Sequence, residues 1–191
     1  MGKIVKPICR IGSGAGFAGD RIDPAVALAA SGEVDAIALE CLAERTLVPA
    51  IKARLESPEA GADPRLRRRL RPLLPVAVQT KCKIISNLGA ANPIAAGGAI
   101  SALGKELNIK GLRVAAIEGD DVTSQSQVID WKRPLKGRLL GAHAYLGCSQ
   151  MAEALEEGAD VVVTGRVADS ALFAAPVGYA CRTISKPSQV R

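Results

Sequence analysis

Four glycines within eight residues form the first group that could do chemistry. Gly14 to Gly19 match the G-x-G-x-x-G spacing that brings backbone N–H groups close to a dinucleotide pyrophosphate. Glu40 stands near the distance at which a carboxylate binds the ribose of such a cofactor. The helix expected after the glycines is delayed, because four residues, Asp20 to Asp23, precede Pro24. Asp20 would also repel a pyrophosphate, so an NAD-dependent oxidoreductase is only an alternative interpretation.

Similar mixtures of small and charged residues follow four further apolar runs. Turns alone would need only residues such as glycine and aspartate, whereas some of these segments also contain arginines beside their carboxylates. Carboxylates that face arginines can hold an anionic acyl group and leave one group to move protons, as in hydratase or lyase chemistry. The candidate acid–base residues are Glu40, Glu44 and Asp120. The candidate ligand-binding residues are Gly14, Gly16, Asp20, Arg21, Arg45, Asn87, Asn92, Asp121, Arg166 and Asp169.

Two further kinds of site are weaker interpretations. Asp120 and Asp121 could bind a divalent cation through oxygen, or they could cap the following segment. Cys41 could act as a nucleophile with His143, although a partly buried structural histidine is favoured. Because no zinc-ligand spacing occurs, no metal site is assigned, and the cofactor stays unassigned.

The elements that must position these residues follow from the apolar pattern. Apolar runs predict strands at residues 4–11, 34–39, 82–88, 112–117 and 160–164, with helices at 24–30, 44–55, 64–78, 93–107 and 149–157. The alternation predicts an α/β fold: an open, mostly parallel sheet of about five strands flanked by helices, in a Rossmann-like three-layer arrangement. Because the carboxyl ends of parallel strands meet at one edge, the candidate residues should gather there. Residues 138–145 could be a short strand or a loop.

Composition excludes several classes of protein. The chain of 191 residues carries a net charge of +6, and much of that charge lies in five arginines between Arg65 and Arg71. These arginines alternate with leucines at helical spacing, and aromatic residues make up only 3%, so a solvated helix face is favoured over nucleic-acid binding. No apolar run is long enough for a membrane span, and the polar start does not resemble a signal peptide. Five cysteines without a C-x-x-C pair are typical of reduced thiols, so a cytoplasmic location is expected.

Five ordered motifs together resemble one known family. They are residues 10–24 with the glycine cluster, Glu40-Cys-Leu-Ala-Glu-Arg-Thr46, Asn87-Leu-Gly-Ala-Ala-Asn-Pro93, Gly119-Asp-Asp121 and Thr164-Gly-Arg-Val-Ala-Asp169. Over about residues 8–175 the chain resembles the N-terminal domain of the acyclic terpene utilisation (AtuA-type) family. The resemblance implies an intracellular α/β protein in the catabolism of citronellol- and geraniol-type terpenoids. Its ligand would be a small acyl or acyl-CoA intermediate.

Two departures from the family pattern shape the predicted domain organisation. Ser170 stands where the family has proline, and family members continue well beyond this chain, which therefore resembles a truncated version. Residues 1–175 are predicted to form the AtuA-like domain, and residues 176–191 an irregular, non-family tail. A sheet that ends here would leave an edge for a second copy or a partner domain to cover. A non-catalytic binding or scaffold domain that needs such a partner is therefore a further alternative.

Overall fold

Strands and helices alternate along most of the described chain, and two helices follow the second strand. A computed structural model describes residues 9–131 and 137–185, with side chains described as far as Cys181. The elements are β1 (Ile11–Ala15), α1 (Asp23–Ala30), β2 (Ala36–Leu39), α2 (Glu44–Glu56), α3 (Leu66–Thr80), β3 (Lys83–Ser86), α4 (Pro93–Glu106), β4 (Val114–Ile117), α5 (Ser149–Glu156), β5 (Val161–Thr164) and α6 (Asp169–Ser185). A single 3₁₀ turn, Thr123–Gln125, follows β4.

The five strands form one parallel sheet in the order β1-β2-β3-β5-β4. One row of paired residues crosses the sheet and joins Gly12, Ile37, Ile84, Val161 and Val114. The pairing of β1 with β2 shifts its register between Ser13 and Ala15. This sheet with helices on both faces confirms the predicted α/β fold and strand number.

Each face of the sheet has its own apolar core. Ile37 and Leu39 of β2 pack under α1, α3 and α4, whereas Ala36 and Ala38 face α5 and α6. The alternation follows from the two-residue period of a strand, which sends neighbouring side chains to opposite faces. Because β2 presents only alanines on the second face, α6 can pack closely against it, with Leu172 fully buried.

The first strand lies further along the chain than the apolar pattern predicts. The apolar pattern predicts a strand at residues 4–11, but β1 begins at Ile11, and residues 4–8 lie outside the described part of the chain. Gly12 and Gly14 are therefore strand residues rather than loop residues. A Cβ atom on Gly14 would lie 2.6 Å from the side chains of Ile37 and Leu39. The strand uses glycine here because the neighbouring side chains occupy that space.

The arginine run on α3 is mostly exposed, as predicted, with one exception. Arg67 and Arg71 are exposed and both pair with Glu106 of α4, at 2.6 and 2.7 Å. Arg69 is buried instead and donates a hydrogen bond to the Ala18 carbonyl at 2.6 Å. Its Nε and Nη1 atoms are buried without a hydrogen-bond partner. Arg69 therefore ties α3 to the glycine loop rather than contributing to the charged surface.

The last helix continues through the region where the sequence predicts an irregular tail. Helix α6 passes through Pro176 to Ser185, so residues 176–185 are helical, while residues 186–191 lie outside the described residues. Its buried residues Leu172 and Ala175 pack against the face of the sheet that α5 also covers. None of the described helices, α6 included, has the length and apolar character that crossing a membrane requires.

Candidate functional site

The connections of the sheet diverge between β3 and β5. The chain leaves β3 for α4 on one face, and it leaves β5 for α6 on the opposite face. In open α/β sheets, the crevice at such a reversal, beyond the carboxyl ends of the strands, is the usual ligand position. Asn87 follows β3 and Arg166 follows β5, and both side chains are buried at this crevice.

Asn87 fixes the segment that follows β2. Its Oδ1 accepts the N–H of Cys41 at 2.7 Å, and its Nδ2 donates to Glu40 Oε1 at 3.0 Å. The N–H of Leu42 donates to the same Glu40 oxygen at 3.0 Å. Burial raises the pKa of the Cys41 thiol to about 12, an effect that nearby Arg69 only partly offsets. The thiol therefore stays protonated at neutral pH, which disfavours Cys41 as a nucleophile.

Arg166 is held by three groups around its guanidinium. Nη1 donates to the Leu42 carbonyl at 2.9 Å, and the guanidinium carbon lies 4.8 Å from the centre of the Tyr145 ring. Glu44 Oε1 is 3.6 Å from Nη2 and accepts a 2.7 Å hydrogen bond from the Tyr145 hydroxyl. That bond is the main cause of the lowered pKa of Glu44. Glu44 and Glu40 therefore have separate partners and do not form a carboxylate pair.

Asp120 and His143 form a buried pair. Asp120 Oδ2 lies 2.8 Å from His143 Nδ1, and the two side chains are 4% and 5% exposed. The same oxygen accepts the backbone N–H of Arg166 at 2.8 Å. A Cβ on Gly165 would lie 2.5–2.6 Å from the Asp120 carboxylate oxygens, so glycine is needed at that position.

The segment that carries His143 is a loop with isolated bridges rather than a strand. Asp121 bridges to His143, and Leu146 bridges to Val167. Residues 138–145, whose structure the sequence left open, thus lie along the carboxyl edge between the ends of β4 and β5. No local sequence pattern specifies the path of this loop, and the sequence therefore favours a structural role for His143. The one sequence feature that could indicate a functional role is that the chain has a single histidine.

The glycine loop already holds a carboxylate. The N–H groups of Gly16 and Phe17 both donate to Asp20 Oδ2, at 2.6 and 3.1 Å. Arg21 is exposed and pairs with Asp23, the first residue of α1, rather than with the crevice. The amides that would bind a pyrophosphate are therefore occupied by Asp20.

A groove of about 660 Å³ opens beside α2, at the carboxyl edge. It lies between α2 and the segment that leads to α3, and most of its walls are apolar. Arg45 and Arg65 line it, together with Glu59 and Asp63. Among the described residues, no carboxylate forms an ion pair with Arg45.

The comparison with protein families gives one match. The model of the acyclic terpene utilisation family protein AtuA matches residues 9–181. The chain belongs to the AtuA family. The match reaches beyond the predicted boundary at residue 175 and includes most of α6. No curated protein and no solved structure matched the chain.

The remaining candidates of this AtuA-family chain hold its loops together or lie at the surface. Asn92 caps α4 by accepting the N–H of Ala95, at 3.1 Å. Asp121 accepts the N–H and hydroxyl of Thr123, the first residue of the 3₁₀ turn, at 3.0 and 2.6 Å. Asp169 is exposed at the start of α6. Within residues 9–131 and 137–185, no group of three or more His, Cys, Asp or Glu side chains could hold a metal ion.

Proposed function

We propose that this AtuA-family chain binds a small acyl ligand with an anionic head and an apolar chain. The ligand would be a free acid or a coenzyme A thioester from the breakdown of citronellol- or geraniol-type terpenoids. The observation that carries the proposal is the groove of about 660 Å³ beside α2, with Arg45 in its wall. This volume lies within the range of about 300–1,000 Å³ that is typical of small-molecule sites.

The two parts of the ligand match two parts of the groove. Ala50 and Ala53 of α2 and Ala90 after β3 give an apolar wall suited to a branched hydrocarbon chain. Arg45 stands in the first turn of α2, where the helix N-terminus also favours a negative charge. Because a guanidinium can bind a carboxylate or phosphate with two hydrogen bonds, Arg45 would hold the anionic head.

Nearby carboxylates leave the charge of Arg45 available. Asp63 is buried and accepts the N–H of Arg65 at 2.6 Å, so its carboxylate already serves the start of α3. Glu40 and Glu44 are engaged by Asn87 and Tyr145. An incoming anion would therefore meet Arg45 without displacing an ion pair of the protein.

Titration calorimetry with geranate and with geranoyl-coenzyme A tests the proposal. Arg45→Ala should weaken binding of both probes about tenfold, equivalent to about 1.4 kcal/mol, because the charge-assisted hydrogen bonds are lost. The matched control is Lys52→Ala, which removes a cation from an exposed position of the same helix outside the groove. Its affinity should stay within about twofold of the unsubstituted protein.

Either of two results would contradict the proposal. One is that neither probe binds the intact chain. The other is that Arg45→Ala and Lys52→Ala bind both probes equally well. A larger effect for geranoyl-coenzyme A than for geranate would assign the anionic contact to the phosphates rather than to the carboxylate.

A further inference from the structure

A second and smaller cleft of about 320 Å³ lies against another face of α2. Ile51, Leu55 and Leu140 give it apolar walls, and His143 forms part of its lining. Arg54 and Asp121 supply the charged groups. No residue is shared between this cleft and the groove beside Arg45, so the two can be tested separately.

The imidazole in this cleft has a fixed orientation. The Asp120 carboxylate contacts Nδ1, and the Arg166 N–H holds that carboxylate in place. Asp120 is also fixed through its backbone, because its carbonyl accepts the N–H of Ala144 at 2.7 Å. A carboxylate at Nδ1 favours the tautomer with its proton on that nitrogen, which leaves the Nε2 lone pair free to accept a proton.

His143 lines the cleft although only 5% of its side chain is exposed. Within residues 9–131 and 137–185, Nε2 has no hydrogen-bond partner. Gly141 lies directly beside it: a Cβ there would be 3.5 Å from Nε2 and 2.9 Å from Ile51 Cδ1. The missing side chain of Gly141 therefore keeps open the space between the imidazole and the apolar wall.

We propose that His143 is a proton-transfer residue, positioned by Asp120, for a small carbonyl or acyl compound bound in this cleft. Nε2 would take a proton from a weakly acidic C–H or O–H group and return it later in the reaction. The nearby Asp120 carboxylate stabilises the imidazolium in between. The inference does not depend on the groove beside Arg45.

Base-promoted opening of 5-nitrobenzisoxazole tests this chemistry directly. Nε2 takes the proton on C3, the C–H electrons form the nitrile, and the N–O bond breaks to release a phenolate. The reaction needs no other reactant, and the nitrophenolate is followed by its absorbance. We expect kcat/KM to fall at least tenfold in His143→Gln, since positioned general bases contribute about 10²–10⁴-fold.

The matched control removes a carboxylate from the loop after β4, which also carries Asp120, and leaves the Asp120–His143 pair in place. Glu118 is exposed after β4, and among the described residues no hydrogen bond or ion pair joins it to His143, so Glu118→Gln should keep kcat/KM within about twofold. Equal rates in the unsubstituted protein and His143→Gln would overturn the proposal.

Two more variants separate positioning from simple structural support. Because the chain has a single histidine, its imidazole ¹⁵N signals are assigned without ambiguity. Asp120→Ala should slow the reaction about tenfold and abolish the preference for the Nδ1–H tautomer, because it removes the oxygen that Nδ1 contacts. Gly141→Ala should keep the tautomer signal but lower the rate at least fivefold, because the methyl group fills the space beside Nε2.

Gly141→Ala also keeps the proposal testable if the Asp120→Ala variant does not fold. A rate for Gly141→Ala equal to that of the unsubstituted protein, with the tautomer signal retained, would show that the reaction does not occur at Nε2. An unsubstituted protein that has its proton on Nε2 would contradict the positioning role of Asp120.

Discussion

Individual glycines in this chain have different physical roles although they share one motif. A Cβ on Gly12 or Gly14 would overlap side chains of α1 and β2, so these two positions are set by packing. Gly16 has space around it, with Asp20 Oδ2 3.8 Å from the position of a Cβ. Only the later part of the motif therefore forms an accessible loop, and its amides are held by Asp20.

Gly14→Ala should destabilise the fold by about 1–3 kcal/mol, because the added methyl group overpacks the space against Ile37 and Leu39. The control is Gly98→Ala on α4, where no atom lies within 4 Å of the added Cβ. That change should stabilise the protein by about 0.5–1 kcal/mol, since alanine favours a helix interior. Urea unfolding measures both values. A Gly14→Ala variant as stable as the unsubstituted protein would contradict the packing role.

One side chain joins two elements at the wall of the groove. Asn92 caps α4, and its Nδ2 also donates to the carbonyls of Pro58 and Ala60, both at 2.8 Å. These carbonyls lie in the connection between α2 and α3, which lines the groove. The position of the groove wall therefore depends on where α4 begins.

Asn92→Ala should lower the free energy of unfolding by about 2–3 kcal/mol, from the lost cap and two carbonyls left without their donor. Ser101→Ala on the same helix is the control, because its hydroxyl donates only to the Gly97 carbonyl. It should change stability by less than about 0.5 kcal/mol. Both values come from chemical denaturation, and similar values for the two variants would show that Asn92 does not anchor the connection.

Across the whole molecule, the strand order decides where a ligand site belongs. The first three strands are neighbours in sequence order, and the reversal lies between β3 and β5. The glycine loop follows β1 at the edge of the sheet, so β2 separates it from that reversal. In dinucleotide-binding folds the glycine loop follows a central strand at the reversal. The topology thus disfavours the NAD-dependent alternative, and a partner for the β1 or β4 edge stays a prediction.

Titration with NADH should leave the nicotinamide fluorescence unchanged up to millimolar cofactor, because the G-x-G-x-x-G loop follows the edge strand β1 rather than a strand at the reversal. A dehydrogenase titrated under the same conditions is the positive control. A saturable change at micromolar cofactor would show that the topological argument fails for this chain.

The sequence by itself determined the α/β class, the number of strands and the family. These features rest on local signals: apolar periodicity and short motifs. Only the tertiary structure decided the strand order, the burial of Arg69 and the pairing of Asp120 with His143. Arg69 meets Ala18 across 51 positions of sequence, and Asp120 meets His143 across 23. Such contacts depend on how helices pack and loops run between strands, which no local pattern specifies.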